Sequence, residues 1–165
     1  MYVHEGEKME TNEYYEKKLK AFMRENGIDG EHLTFSQSCH SVTEAAEAAG
    51  VTPGDFVKSI CMVDGEGRLI VGIVKGEDRA STSRVAKILK INTVRIATPD
   101  EVFRKTGYPC GGTPSFSYPA RFLVDPRVME KELVYMGGGS ETSLVRINPS
   151  EIVRVTGGEV VRIRK

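Results

Sequence analysis

The chain has 165 residues, 39% of them hydrophobic and 28% charged, and its 23 basic side chains balance its 23 acidic ones. These values predict one domain over residues 1–165 and exclude collagen-like, disordered and disulfide-scaffold proteins. The longest apolar run, Leu69–Val74, is too short to cross a bilayer, and the acidic N-terminus resembles no signal or transit peptide, so a cytoplasmic protein is expected.

The first predicted elements are two helices. Residues 9–26 place apolar side chains at helical spacing and are followed by Gly27, which predicts an amphipathic helix. Ser41 and Glu44 form a capping box, in which each side chain can accept a hydrogen bond from a free N–H of the first turn. A short helix is therefore expected before Gly50.

The strongest hairpin signal follows these helices. Phe56–Val63 and Arg68–Lys75 are strand-like runs joined by the turn sequence Asp64–Gly67. The second run is apolar on both faces, which is typical of a central strand.

The remaining segments alternate without a regular βαβ pattern. A helix is expected from Thr82 or Ser83 to Leu89, and a second from Thr98 to Lys105. Short strands are expected at Thr93–Ile96, Arg121–Val124, Leu133–Met136, Leu144–Ile147 and Val160–Ile163, and one helical turn begins at Asn148–Glu151. This mixture predicts an α+β fold with a mixed, strongly curved, barrel-like sheet surrounded by short helices.

Metal, thiol and triad chemistry have little support in the sequence. Cys39, Cys61 and Cys110 contain no CxxC pair, and Cys39–His40 has no second pair of ligands nearby, so no metal site or disulfide framework is expected. No GxSxG motif occurs, and no histidine lies beside a plausible nucleophilic serine. A hydrolase with this sequence would have to work without a Ser-His-Asp triad, and no cofactor is expected.

Two glycine-rich segments are candidate sites. Gly107–Pro114 carries no charge, and its glycines allow close approach of a ligand to the backbone, although the same composition suits a structural turn. Met136–Ser140 can offer several backbone N–H groups to a phosphate or an oxyanion, or it can form a flexible hairpin turn. The spacing of a P-loop is absent.

Lys58 and a basic stretch complete the candidates. Lys58 lies inside an apolar strand, where a lysine either has a function or extends its ammonium to water at a sheet edge. Residues 79–105 contain seven basic and two acidic residues. On a chain without net charge, this stretch can hold only a short piece of nucleic acid.

Several motifs together resemble the YbaK-type aminoacyl-tRNA deacylase family, whose domain also occurs as the editing insertion of bacterial prolyl-tRNA synthetases. The resemblance begins at about residue 35, after a variable N-terminal helix, and its order and spacing are more specific than any single motif. The matching segments are Ser41–Ala46, Phe56–Ile60, Ala97–Val102, Gly107–Tyr108, Gly111–Pro114, Phe122–Asp125 and Gly137–Ser140.

The resemblance implies a stand-alone, trans-editing hydrolase that removes a wrong amino acid from the 3′-terminal adenosine of a tRNA. It implies catalytic roles for Lys58 and Gly111, with a water or the substrate's own hydroxyl attacking the ester, and no cofactor. The implied substrate-binding residues are Gly107, Tyr108, Gly112, Thr113, Pro114, Gly137, Gly138, Gly139 and Ser140. The implied partners are the tRNA acceptor end and an aminoacyl-tRNA synthetase, and no membrane. The alternative is a non-catalytic module of the same fold that binds tRNA or a synthetase.

Overall fold

A computed structural model describes residues 5–165, with side chains described from Thr11 onward. The helices are α1 Glu5–Glu25, α2 Val42–Ala49, α3 Thr82–Leu89, α4 Pro99–Thr106 and α5 Pro149–Thr156. The strands are β1 Gly30–Thr34, β2 Val57–Asp64, β3 Leu69–Lys75, β4 Val94–Ile96, β5 Arg121–Val124, β6 Val134–Gly137, β7 Ser143–Ile147 and β8 Glu159–Val160. The fold is α+β, as the sequence predicts.

The strands form two sheets. The larger has the order β4-β2-β3-β5-β8, with β2 antiparallel to both β3 and β4, and β5 parallel to both β3 and β8. The smaller sheet is antiparallel, with the order β1-β7-β6. As predicted, β3 is a central strand, and six of its seven residues are buried.

The predicted barrel is not found. In the part of the chain that the structure describes, the larger sheet ends at β4 and β8, and the smaller one ends at β1 and β6. Phe56 and Tyr135 form one isolated bridge between the two sheets, just before β2 and within β6. A single bridge brings the sheets together without closing either of them, because the edge strands pair on one side only.

The helix ends follow the capping signals of the sequence. The Ser41 hydroxyl accepts the N–H of Glu44 at the start of α2, and Gly50 ends that helix in the left-handed conformation. At α4, the Thr98 hydroxyl accepts the N–H of Glu101, whose carboxylate accepts the N–H of Thr98. These caps satisfy backbone groups that would otherwise lack partners.

Some elements differ from their predicted extents. Helix α1 is described from Glu5, so it begins before residue 9, and α5 has eight residues where one turn was predicted. Strand β1 was not predicted, and β8 ends at Val160 although the expected strand ran from Val160 to Ile163. The chain beyond β8 is held by Asp125, which accepts N–H groups of Ile163 and Arg164. Within the described residues, no helix is long and apolar enough to cross a bilayer.

Candidate functional site

A cleft of about 370 Å³ opens where β2 passes beneath α2, α4 and the end of β6. Its wall is mostly apolar, with Val57 and Ile60 from β2, Val102 from α4 and Met136 from β6. Its polar groups come from β2 and from two loops. Because the bridge beside Phe56 joins the two sheets, the cleft lies at their junction.

Lys58 is the cationic residue of this cleft. It lies on β2 opposite Val74 of β3 and is half-buried. Its ammonium has no hydrogen bond or ion pair among the described residues. Burial lowers the pKa of Lys58, the Arg79 guanidinium lowers it further, and the Asp78 carboxylate partly opposes both. The ammonium is therefore free to meet an anionic group of a ligand.

The glycine loop after α4 forms one side of the cleft. Cys110–Gly112 is a 3-10 turn, which is closed by the N–H of Gly112 and the hydroxyl of Thr113, both donating to the Pro109 carbonyl at 2.9 Å. Gly111 and Thr113 line the cleft. A Cβ atom at Gly111 would lie 2.1 Å from Nδ1 of His40, so the imidazole rests directly on the glycine.

The second glycine segment packs against the first. Gly137 lines the cleft at the end of β6, and a Cβ atom there would lie 2.3 Å from the carbonyl oxygen of Thr113. The N–H of Gly139 donates to the Gly112 carbonyl at 2.8 Å. The sequence therefore identified two segments that meet in space.

The backbone donors after Gly137 have partners inside the protein. Gly138 donates to the Ser143 carbonyl at 3.1 Å, and the N–H of Ser140 donates to the Ser143 hydroxyl at 3.2 Å. With Gly139 bonded to Gly112, these three N–H groups are not directed at a ligand. The segment is a hydrogen-bonded turn. It agrees better with the hairpin turn considered for Met136–Ser140 than with a site that offers free N–H groups to an anion.

Other candidate residues from the sequence lie outside the lining of the cleft. Gly107 ends α4 with φ 80°, and the side chain of Tyr108 is fully buried with its hydroxyl 2.7 Å from that of Ser117. Pro114 is buried, and its carbonyl accepts the Tyr118 hydroxyl at 2.6 Å. None of these three is among the described residues that line the cleft, nor are Gly112, Gly138, Gly139 and Ser140.

The structure adds lining residues that the sequence did not assign to the site. His40 lies beside the N-cap of α2, with Nδ1 3.6 Å from Oε1 of Glu141. Ser59 follows Lys58 and shares a hydrogen bond of 2.7 Å with the fully buried Ser115. Two features of the sequence could have identified these residues. His40 directly precedes the predicted cap residue Ser41, and Ser59 directly follows the candidate Lys58.

All three cysteines also line the cleft. Burial raises the pKa of Cys39 to about 11 and that of Cys61 to about 12, so both thiols stay protonated near neutral pH. A protonated thiol is a weak nucleophile and a poor metal ligand. Among the described residues, no group of three histidine, cysteine or acidic side chains could hold a metal ion.

The charge of the cleft limits its chemistry. Among the described residues that line it, Lys58 and His40 are cationic or titratable bases, and no aspartate or glutamate is present. A pair of carboxylates for acid and base catalysis is therefore not available in this part of the chain. A cation beside hydrogen-bonded backbone loops is suited to stabilising negative charge on a bound ester or phosphate.

These features define a mixed α+β domain with a cationic cleft at the junction of two sheets. The chain belongs to the aminoacyl-tRNA editing domain family, whose model matches residues 36–155. The match spans α2 to α5 and includes every residue that lines the cleft.

Known proteins with related sequences or structures agree with this family. A proline–tRNA ligase of Trichlorobacter lovleyi is 30% identical over 71 residues, which cover 43% of this chain and 12% of that enzyme. The multifunctional Ser/Thr-tRNA deacylase ProXp-y of Escherichia coli K12 is 25% identical over 90% of this chain and 92% of that protein. A crystal structure of a proposed trans-editing enzyme for prolyl-tRNA synthetase superposes with a TM-score of 0.84 at 25% identity, covering 92% of this chain and 97% of that one.

Proposed function

We propose that this protein is a trans-editing deacylase, which hydrolyses the ester between a non-cognate amino acid and the 3′-terminal adenosine of a tRNA. The observation that carries the proposal is the half-buried ammonium of Lys58, which has no hydrogen bond or ion pair in the described part of the chain and lies in a cleft bordered by Gly111. A partly buried charge without a partner costs folding free energy, so its presence is best explained by a ligand.

In the proposed reaction, Lys58 offsets the negative charge that develops on the ester carbonyl oxygen or holds the terminal phosphate. The backbone of Gly111 orients the attacking water, directly or through the substrate's own hydroxyl. The water oxygen bonds to the carbonyl carbon, and the bond from that carbon to the ribose oxygen breaks. The products are the free amino acid and a tRNA whose ribose hydroxyl has regained a proton.

The other candidate residues of the two glycine-rich segments have two different roles in this proposal. Thr113 and Gly137 border the bound aminoacyl group, because both line the cleft beside Gly111. The remaining residues hold these walls in place. Gly107 does so as the left-handed end of α4, and the others do so through the hydrogen bonds described above: Tyr108, Gly112, Pro114, Gly138, Gly139 and Ser140.

The proposed partners follow from the substrate. The tRNA acceptor end enters the cleft, and a synthetase, of which the prolyl enzyme is favoured by the relatives, supplies or retains the mischarged tRNA. Residues 1–165 would act as one editing domain in the cytoplasm, where aminoacyl-tRNA is used.

A deacylation panel tests the proposal. tRNAs charged with alanine, cysteine, serine, threonine or proline are incubated with the protein, with and without a metal chelator, and the released amino acid is measured against buffer alone. We expect at least one ester to be hydrolysed well above its spontaneous rate, with no effect of the chelator. Binding of tRNA without hydrolysis of any ester would support the non-catalytic module instead.

A further inference from the structure

The structure divides the basic stretch 79–105 into side chains with partners inside the protein and side chains without such partners among the described residues. Arg95 pairs with Glu101 at 2.7 Å, and Arg104 pairs with Asp100 at 2.9 Å. Lys105 donates to the carbonyl of Gly67 at 2.6 Å. These three cations are engaged within the protein, so they contribute little to binding an external anion.

The cations near helix α3 are different. The side chains of Arg79, Arg84, Lys87 and Lys90 are exposed and have no hydrogen bond or ion pair among the described residues. Elsewhere on the described surface many cations are paired with carboxylates, among them Arg68, Arg127, Arg146, Arg154 and Arg164.

The carboxylates nearest to Arg79 in the sequence do not neutralise it. Glu77 accepts the ammonium of Lys75 at 2.9 Å, and Asp78 accepts the guanidinium of Arg127 at 2.7 Å. Both acidic groups therefore already have cationic partners, and the charge of Arg79 remains available to a ligand.

Helix α3 presents two of these cations together. Arg84 and Lys87 are three positions apart, so they are neighbours on the helix surface. Val85 is fully buried, and Ile88 packs in the same apolar cluster as Ile60, which lines the cleft. The helix thus packs on an apolar cluster that it shares with Ile60 of the cleft wall, while Arg84 and Lys87 are exposed to solvent.

Arg79 connects this surface to the cleft electrostatically. Its guanidinium is close enough to Lys58 to lower the pKa of that ammonium. Because like charges interact in this way only at short range in salt solution, Arg79 places a cation of the α3 surface close to the cleft.

We propose that Arg79, Arg84 and Lys87 form a phosphate track that holds the acceptor strand of the tRNA as it leaves the cleft. The inference rests on the proposed function, since a 3′-terminal ester in the cleft requires the adjoining phosphates to pass along its rim. Three cations that lack partners among the described residues suit a short contact with one RNA strand, in agreement with the zero net charge of the chain.

The double variant Arg84→Glu/Lys87→Glu tests the track. Its matched control is Lys17→Glu/Lys20→Glu, which has the same spacing and charge change on the exposed face of α1, away from the lining of the cleft. Affinity for uncharged tRNA is measured between about 50 and 200 mM salt. Hydrolysis is measured with mischarged tRNA and with an aminoacyl-adenosine ester that has no phosphate.

For the α3 variant, we expect at least tenfold weaker tRNA binding at low salt and a log–log salt slope reduced by about 1.5, as for the loss of two phosphate contacts. Hydrolysis of the tRNA ester should fall, whereas hydrolysis of the adenosine ester and all properties of the α1 variant should be unchanged. An equal loss in both variants, or none in either, overturns the track.

The failure of the proposed function gives a different result. If the wild-type protein hydrolyses neither ester, the deacylase proposal fails, while the binding of uncharged tRNA still decides the track. If the α3 variant loses affinity for an acidic peptide such as polyglutamate but keeps its affinity for tRNA, the surface is a protein-docking site and the track is wrong.

Discussion

Replacing Gly111 should change the activity of the cleft while leaving the stability of the fold nearly unchanged. An added methyl group would lie 2.1 Å from Nδ1 of His40, whose side chain is 59% exposed and can swing outward. Gly111→Ala should therefore lower the melting temperature little but reduce kcat/KM for the ester at least tenfold, because the cleft wall changes shape. Hydrolysis and thermal unfolding are measured together.

A glycine with free space provides the control. At Gly54, a Cβ atom would meet its nearest neighbour, Oε1 of Glu77, at 3.7 Å, which is ordinary contact. Gly54→Ala should leave both hydrolysis and unfolding unchanged. Full activity of Gly111→Ala would show that the loop takes no part in catalysis.

His32 predicts a loss of stability in mild acid. Burial lowers its pKa from 6.5, although the hydrogen bond to the Gly138 carbonyl, 2.8 Å from Nε2, opposes the shift. Nδ1 is buried without a partner among the described residues. Below about pH 6.5 the unfolded chain therefore binds a proton that the folded protein binds more weakly.

The free energy of unfolding should consequently fall as the pH decreases from 7.5 to 5.5, measured by urea titration. In His32→Gln this fall should largely disappear, because glutamine can donate to Gly138 without titrating. His40→Gln should retain the fall, since His40 lies at the surface. If His32→Gln keeps the full pH dependence, the buried imidazole is not its source.

At the scale of elements, helix α4 depends on its N-terminal cap. The Thr98 hydroxyl accepts the N–H of Glu101, and the helix carries Val102 into the cleft wall. Thr98→Ala should lower the free energy of unfolding by about 1 kcal/mol, as for other lost N-caps. Thr43→Ala, inside α2 at an exposed position, should leave stability equal or slightly higher. Equal losses in both variants would contradict the role of the cap.

Local signals predicted those elements that are specified by neighbouring residues. The caps at Ser41 and Thr98 and the end of α2 at Gly50 depend on contacts within a few residues, and the hairpin of β2 and β3 joins residues no more than 18 positions apart. Strand β1 depends instead on pairing with β7, more than 100 residues away, and its exposed and half-exposed residues show no clear alternation. Such pairing cannot be read from the local sequence, and the predicted curl of the sheet failed for the same reason.

The candidate site was predictable to a similar extent. Lys58 and the glycine loops stand out by residue type, and the resemblance to a known family linked them. That Gly137 meets Thr113, or that His40 covers Gly111, follows only from the tertiary arrangement. The use of the N–H groups of Gly138–Ser140 in internal hydrogen bonds is equally invisible in the sequence.

For the whole molecule, Lys58 should be needed for activity and yet lower the free energy of unfolding. Its half-buried ammonium lacks a partner among the described residues, whereas the buried Lys75 on the adjacent strand pairs with Glu77 at 2.9 Å. Replacing Lys58 by methionine removes a charge that Asp78 offsets only in part, and it keeps an unbranched side chain one atom shorter. Replacing Lys75 by methionine removes a satisfied ion pair outside the cleft lining.

The most direct test measures hydrolysis of mischarged tRNA and urea unfolding for Lys58→Met and Lys75→Met beside the wild-type protein. We expect Lys58→Met to lose at least a hundredfold in kcat/KM, the size of effect found when a charge-stabilising donor is removed, with stability equal to or above wild type. Lys75→Met should keep its activity and lose stability. Hydrolysis by Lys58→Met at the wild-type rate, or its failure to fold, would contradict the assignment of Lys58 as the catalytic cation.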